Sequence, residues 1–117
     1  MTSEPRRIAI TEEQLAGEVE DLLNIFQWRW CHFRPARTEH GWRTAVSGYK
    51  GFPDYIAARL PRLIIFELKS EKGKLTPEQA EWLELLRNCT SIEAYCWRPN
   101  RIDKIAEILR WDCSGIA

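Results

Sequence analysis

Two carboxylates and one lysine stand at the ends of two neighbouring predicted strands. Asp54 begins one of these strands, and Glu67 and Lys69 end the next. Residues two apart in a strand point to the same face, so Glu67 and Lys69 project together. If the strands pair as a hairpin around Pro61, the start of one lies beside the end of the other. The sequence therefore predicts that two carboxylates and an ammonium group meet at one edge of a sheet.

Such a cluster is suited to a divalent metal ion. Paired carboxylates raise each other's pKa, and burying an unpaired charge is costly. Mg²⁺ or Mn²⁺ relieves that repulsion, because hard divalent cations prefer carboxylate oxygens as ligands. A bound metal ion polarises a phosphate and lowers the pKa of bound water, while Lys69 can orient or deprotonate that water. The expected chemistry is metal-dependent hydrolysis of a phosphodiester.

A purely structural interpretation of these residues is also open. Pro53-Asp54 is a common turn dipeptide, and Glu67 with Lys69 can form a surface ion pair that contributes ~0–1 kcal/mol. The catalytic interpretation is favoured because Glu67 directly follows the most apolar run in the chain, Leu63 to Phe66.

The predicted elements follow the order α, β, β, β, α, β, α, which indicates an α/β (α+β) fold with a mixed sheet flanked by helices. One helix is expected to begin at Thr11, a second at Thr76 with Gln79 completing a capping box, and a third at Asn100. The strands are expected at 30–34, 54–59, 63–69 and 92–97. The last two, joined by a helix, should be parallel, and the first three antiparallel.

Segment 35–51 has neither helical nor strand periodicity, so we expect a long loop, and long loops are often functional. Its cations have two interpretations, a solvated loop or a set of phosphate contacts just before the carboxylates. Trp42 in the same loop can stack on an unpaired base, which contributes ~1–3 kcal/mol. The candidate nucleic-acid contacts are Arg34, Arg37, Arg43 and Lys50, with Lys72 and Lys74 extending the basic rim from the other side.

Composition limits the function classes. The 117 residues fit one domain, 11–117, after a flexible leader over 1–10. A formal net charge of zero argues against a non-specific nucleic-acid coat protein but allows a local basic rim. The four cysteines lack CxxC spacing and are expected to be buried free thiols, and His32 and His40 are not expected to act as ligands or as a base. Without a signal peptide or a spanning apolar run, we expect a cytoplasmic protein that does not enter a membrane.

Five short motifs follow one another in the sequence, namely Gly51-Phe52-Pro53-Asp54, Phe66-Glu67-Leu68-Lys69, Gly73-Lys74-Leu75, Gln79 with Trp82, and Trp97-Arg98-Pro99. In their order and spacing they resemble the VRR-NUC domain of the PD-(D/E)xK nuclease superfamily. The resemblance extends from about Thr11 to Leu109, and it is to the minimal single-domain forms found in phages.

This resemblance implies a restriction-endonuclease-like core, αβββαβ with a further C-terminal helix, that hydrolyses branched or otherwise structured DNA. It implies that Asp54, Glu67 and the backbone carbonyl of Leu68 bind Mg²⁺ or Mn²⁺. It also implies that Gln79 lies at the active site against Lys69 or the phosphate, although Gln79 cannot fill that role and the capping box fully at once. A non-catalytic DNA-binding module and a nuclease acting on RNA are the alternatives. A homodimer is compatible with the six tryptophans.

The first helix departs from the family pattern. The resemblance implies an acidic residue there, followed four residues later by Gln. Glu12 takes the acidic position on the face of Leu15 and Val19, which makes it a candidate metal ligand, but Ala16 stands where Gln is implied. Glu18, at the edge of that face, is the alternative.

Overall fold

The computed structural model describes residues 10–34, 36–39, 41–43 and 46–113, and the side chains of residues 36–38 and 42–43 lie outside this description. The α-helices are α1 (Glu12–Ile25), α2 (Pro77–Arg87) and α3 (Ile102–Arg110), the last preceded by a 3-10 turn, Pro99–Arg101. The strands are β1 (Arg29–His32), β2 (Ala36–Thr38), β3 (Gly41–Arg43), β4 (Tyr55–Arg59), β5 (Arg62–Leu68) and β6 (Glu93–Trp97). The predicted leader lies outside the described residues except for Ile10, which packs against the core.

Four strands form one mixed sheet in the order β1-β4-β5-β6. Strands β1, β4 and β5 are antiparallel, whereas β6 runs parallel to β5. The sequence prediction of a mixed α/β fold is confirmed. The tight hairpin between β4 and β5 makes that pair antiparallel, and the helical crossover between β5 and β6 makes that pair parallel. In this sheet Tyr55 lies opposite Phe66, and Leu68 lies opposite Trp97.

The capping box predicted at Thr76 is present, and the predicted helix start at Thr11 has a capping box as well. The hydroxyl of Thr11 accepts a hydrogen bond from the Gln14 N–H at 3.0 Å, and the Gln14 side chain accepts from the Thr11 N–H at 2.9 Å. The same exchange joins Thr76 and Gln79, at 3.1 and 2.9 Å. These bonds satisfy backbone donors that a helix start leaves without partners, and they fix where α1 and α2 begin.

Four local predictions were wrong, in whole or in part. The loop expected at 35–51 contains a hairpin in which β2 pairs with β3. The sequence did not reveal it because strands of three residues are too short to show an alternating pattern. The first strand ends at His32 rather than at residue 34. Asn100 does not cap α3, which begins without a side-chain cap, and the Asn100 N–H donates instead to Glu71 Oε1 at 2.5 Å. The cysteines are free, but Cys31 and Cys89 are exposed rather than buried.

Apolar side chains cover both faces of the sheet. On one face α1 and α3 pack against Tyr55, Phe66 and Leu68, and on the other α2 packs against Ile65 and Ala94. Strand β5 is therefore buried on both sides, as its apolar sequence predicts. Alternation along β5 sends Phe66 and Leu68 toward α1 and turns the residue between them, at position 67, toward α2.

Two charged residues are buried in the part of the chain that the structure describes, Arg62 and Glu67. Arg62 has full compensation: its guanidinium forms two hydrogen bonds of 2.6–2.7 Å to Glu93 and lies against the rings of Trp28 and Trp111. Glu67, only 2% exposed, has no comparable counter-ion. No helix within the described residues is long and apolar enough to cross a membrane.

Candidate active site

Strands β4 and β5 bring Asp54 and Glu67 together. Because Tyr55 lies opposite Phe66 in the antiparallel register, the residue before Tyr55 lies opposite the residue after Phe66. The Asp54 N–H donates to Glu67 Oε2 at 3.1 Å, and the two carboxyl groups are within hydrogen-bonding reach of each other. The hairpin thus places both carboxylates where the sequence analysis expected them.

Lys69 and Gln79 approach Glu67 from the same face of the sheet. Lys69 Nζ lies 3.7 Å from Glu67 Oε1, and the side chains of both residues are largely buried, at 15% and 3% exposed. Gln79, on the first turn of α2, donates from Nε2 to Glu67 Oε1 at 3.2 Å. The structure therefore gathers three of the predicted site residues, Asp54, Lys69 and Gln79, around the buried carboxyl group of a fourth, Glu67.

Gln79 closes the capping box and also contacts Glu67, whereas the resemblance implied a contact with Lys69 or the phosphate. Its Oε1 accepts from the Thr76 N–H and closes the capping box, while its Nε2 donates to Glu67. Both are possible because the two ends of the amide are separate hydrogen-bonding groups. The capping box thereby orients the amide nitrogen toward Glu67.

The pKa of Glu67 is raised, first by burial and second by the neighbouring Asp54 carboxylate, and Lys69 only partly offsets this. Burial favours the neutral carboxyl because the interior solvates charge poorly, and a second carboxylate adds repulsion. The cluster is thus short of positive charge, which is the condition that a divalent cation relieves.

The donor set fits a hard divalent cation. Asp54 and Glu67 offer carboxylate oxygens, and the Leu68 peptide offers a third oxygen on the same side. The Lys69 N–H donates to Trp97 O at 3.0 Å on the β6 side. Since C=O and N–H of one trans peptide point in opposite directions, the Leu68 carbonyl points toward β4 and the carboxylate pair. Among the described residues no three His, Cys, Asp or Glu side chains are grouped to hold a metal ion, so this carbonyl and water would complete the set.

The acidic residues of α1 lie on the other side of the sheet. Helix α1 packs against the face that carries Phe66, whereas Glu67 turns toward α2. Glu12 is exposed and lines a cavity of about 570 Å³ with Glu20, and Glu18 is exposed. The structure does not add Glu12 to the carboxylate pair, and its role as a metal ligand stays a prediction.

A second polar cluster, which the sequence analysis missed, lies behind Asp54. The Tyr55 hydroxyl donates to Glu20 at 2.5 Å, and the His32 ring stacks on Tyr55 with centroids 4.0 Å apart. His32 Nδ1 lies 3.8 Å from Glu20, and burial lowers the pKa of His32 although Asp54 acts in the opposite direction. This cluster fixes the start of β4, and only the register of β1 against β4 could have revealed it.

The structure describes the side chains of only some of the predicted nucleic-acid contacts. Lys50 is 80% exposed and lies 3.8 Å from Glu78, and Arg34 is exposed beside the cavity of Glu12. The backbones of Arg37 and Arg43 lie in β2 and β3, but their side chains, like that of Trp42, lie outside the described residues.

Lys72 and Lys74 are exposed on the turn between β5 and α2. Arg98 stabilises this turn, because its guanidinium donates to Ser70 O at 2.7 Å and to Gly73 O at 2.5 Å. The two lysines are therefore displayed on a fixed backbone that directly follows Lys69.

Gly51 locks the segment before Asp54 against α2. Its φ is +95°, and a Cβ there would lie 2.7 Å from the backbone carbon of Glu78, closer than real contacts allow. The Trp82 indole N–H adds a hydrogen bond of 3.0 Å to Lys50 O. Together these contacts fix the position of Asp54 relative to Gln79.

No protein-family model matches the chain, and no curated protein matches it either. Its function is therefore inferred from the geometry and chemistry of the site, and from the resemblance carried by its motifs.

Proposed function

We propose that the protein is a metal-dependent nuclease that hydrolyses phosphodiester bonds in DNA, with Asp54, Glu67 and Lys69 at its active site. The observation that carries this proposal is the buried Glu67 carboxyl group, which accepts a hydrogen bond from the main-chain N–H of Asp54 and has the ammonium group of Lys69 3.7 Å away. The pair of Asp54 and Glu67 carboxylates is electrostatically unfavourable on its own, and a divalent cation bound through carboxylate oxygens offsets the repulsion.

The order of elements supports a restriction-endonuclease-like core of the VRR-NUC type. Helix α1, antiparallel β1, β4 and β5, helix α2 and parallel β6 follow in the order αβββαβ, and α3 is the further C-terminal helix. The hairpin β2–β3 is an insertion between the first two strands of that core.

Each side chain has a defined task in this proposal. Asp54, Glu67 and the Leu68 carbonyl would hold Mg²⁺ or Mn²⁺, which would supply polarisation of the scissile phosphate and a lowered pKa for bound water. The Lys69 ammonium group orients the attacking water and offsets the charge that develops on the phosphate. Gln79 positions the Glu67 carboxylate by donating to Oε1.

The substrate proposal is DNA, in branched or otherwise structured form. Exposed cations on both sides of the carboxylates support a polyanionic substrate, with Lys50 on one side and Lys72 and Lys74 on the other. The preference for structured DNA rests on the family resemblance alone, and the homodimer stays a prediction.

A cleavage panel tests the proposal. End-labelled single-stranded, duplex, flapped and four-way branched DNA, with RNA of the same sequences, are incubated with Mg²⁺, Mn²⁺ or a chelator. We expect cleavage of DNA that requires the metal ion and is lost in Glu67→Gln but retained in Glu84→Gln, an exposed glutamate of α2. Intact DNA that is nevertheless bound would indicate a non-catalytic module, and faster cleavage of RNA would indicate a ribonuclease.

A further inference from the structure

A cleft of about 860 Å³ beside the carboxylate pair carries aromatic rings that the proposed chemistry does not use. Asp54 and Gln79 line it together with the rings of Phe33, Tyr49 and Phe52. Its volume is in the range of small-molecule and nucleotide sites, ~300–1,000 Å³. It opens directly onto the place where a scissile phosphate would lie.

We propose that this cleft binds an unpaired nucleobase of the substrate, stacked on the rings of Phe33 and Tyr49, next to the phosphate that is cleaved. The inference rests on the proposed nuclease function and narrows its substrate to nucleic acid with an unpaired nucleotide at the cut. Inside a duplex each base face is covered by its neighbours, so away from a duplex end an exposed ring can stack only on a base that has left the helix.

Phe33 is placed at the cleft by the same backbone that places Asp54. Its N–H donates to the Asp54 carbonyl at 2.7 Å. Its ring meets Phe52 in an edge-on contact, with centroids 6.2 Å apart and planes at 63°, and it remains 42% exposed. Phe33 therefore presents an accessible ring at a fixed distance from the reacting centre.

Tyr49 also lines this cleft, and its backbone is held by α2. The Trp82 indole N–H donates to Tyr49 O at 3.3 Å and to Lys50 O at 3.0 Å, while Gly51 is in close contact with α2. The Tyr49 side chain is nevertheless 88% exposed. A large ring held in solvent adds little to the fold by burial, whereas on a fixed backbone it loses little freedom when it stacks on a ligand.

A lysine at the rim of the cleft is suited to the phosphate backbone of a nucleotide. Lys50 lies at this rim with an exposed ammonium group that can contact a backbone phosphate. Aromatic rings for bases beside cations for the backbone are the usual composition of surfaces that bind single strands. Here that surface continues into the proposed metal site through Asp54.

Fluorescence of 2-aminopurine tests the proposal without relying on cleavage. The probe is a hairpin DNA with one unpaired 2-aminopurine beside a duplex end, titrated with and without Mn²⁺ in a Lys69→Ala background. We expect quenching on binding, and an affinity about 5- to 100-fold weaker in Tyr49→Ala and Phe33→Ala, as loss of one stacked base predicts. Tyr49→Phe keeps the ring and should bind normally. Leu60→Ala, at a position that is 97% exposed away from the cleft, is the matched control.

The proposal is overturned if Tyr49→Ala and Phe33→Ala bind and quench the probe as the parent protein does, or if they weaken a fully paired duplex equally. It is also overturned if Tyr49→Ala changes only self-association in sedimentation, which would make the cleft a protein interface. Base-specific quenching by a protein that cleaves no substrate would support the cleft but refute the nuclease. Cleavage that is insensitive to both ring deletions would refute the cleft alone.

Discussion

The main-chain N–H of Asp54 donates a 3.1 Å hydrogen bond to the Glu67 carboxylate, so the β4–β5 hairpin holds two carboxyl groups against each other at one edge of the sheet. One ammonium group, on Lys69, faces them at 3.7 Å from Glu67. The hairpin therefore builds a site with an excess of negative charge, and the consequences of that excess can be measured.

The first consequence is metal binding through both carboxylates. Asp54→Asn and Glu67→Gln each remove one anionic ligand, so each should weaken Mn²⁺ binding by at least about tenfold in calorimetric titration. Glu84→Gln changes an exposed carboxylate on the same helix as Gln79 and should bind as the parent protein does. Saturable binding that survives in both site variants would place the metal ion elsewhere.

The second consequence is a stability cost in the metal-free protein. Burial, and then the Asp54 carboxylate, raise the pKa of Glu67 to about 8, so the folded state holds its proton more tightly than the unfolded state. The Glu67 carboxyl group contributes its full stability below its unfolded pKa of about 4.5. That contribution is lost as pH rises through its pKa in the folded state. Glu67→Gln cannot lose a proton there, and its melting temperature should exceed that of the parent by ~4 °C or more at about pH 9.

The difference in melting temperature should shrink toward about pH 5, where Glu67 is protonated in the folded state. Excess Mn²⁺ should remove the difference in melting temperature at high pH, because only the parent protein gains the full binding energy of the metal ion. A Glu67→Gln variant that is less stable than the parent across this range would show that the carboxylate is satisfied without metal.

Gln79 should affect both stability and cleavage, and the chain contains a control that separates them. Gln79→Ala loses the capping box and the contact with Glu67, so we expect a loss of ~0.5–1 kcal/mol in stability and about tenfold or more in cleavage rate. Gln14→Ala breaks the equivalent capping box of α1 and should lose stability without losing cleavage. Equal cleavage rates in the two variants would confine Gln79 to capping.

Gly51 should tolerate no side chain. Gly51→Ala adds a Cβ 2.7 Å from the Glu78 backbone at a φ of +95°, which should destabilise the fold by more than the ~1–2 kcal/mol of the left-handed backbone alone and displace Asp54. Gly48 has a φ of +98°, but no atom lies within 4 Å of the position that a methyl group would take there, so Gly48→Ala isolates the cost of the backbone conformation. Urea unfolding of the two variants side by side measures the difference, and equal losses would contradict the close packing of Gly51 on α2.

The hairpin and its carboxylates were predictable because their determinants are local. Alternation in β5 and a tight turn set the register, and the register places Asp54 against Glu67. The cluster of Glu20, Tyr55 and His32 was not predictable, since it depends on how β1 aligns with β4 and on which face α1 covers. The periodicity of a single segment predicts neither the register of β1 against β4 nor the face that α1 covers.

Segment 36–43 shows a different limit. Its two strands of three residues carry no detectable alternation, and they form because they pair with each other rather than because either favours extended structure. The partner of Gln79 was also not predictable, because the resemblance implied Lys69 or the phosphate, whereas the amide nitrogen donates to Glu67.

The rate at which Lys69→Ala cleaves DNA tests the central claim most directly. The measurement is the single-turnover cleavage rate of branched DNA with saturating Mn²⁺, for the parent protein, Lys69→Ala, and Lys104→Ala, which removes an exposed lysine of α3. Loss of a group that activates water and offsets charge should lower the rate by about 100-fold or more, while Lys104→Ala cleaves at the parent rate. An unchanged rate in Lys69→Ala would contradict an active site built on Asp54, Glu67 and Lys69.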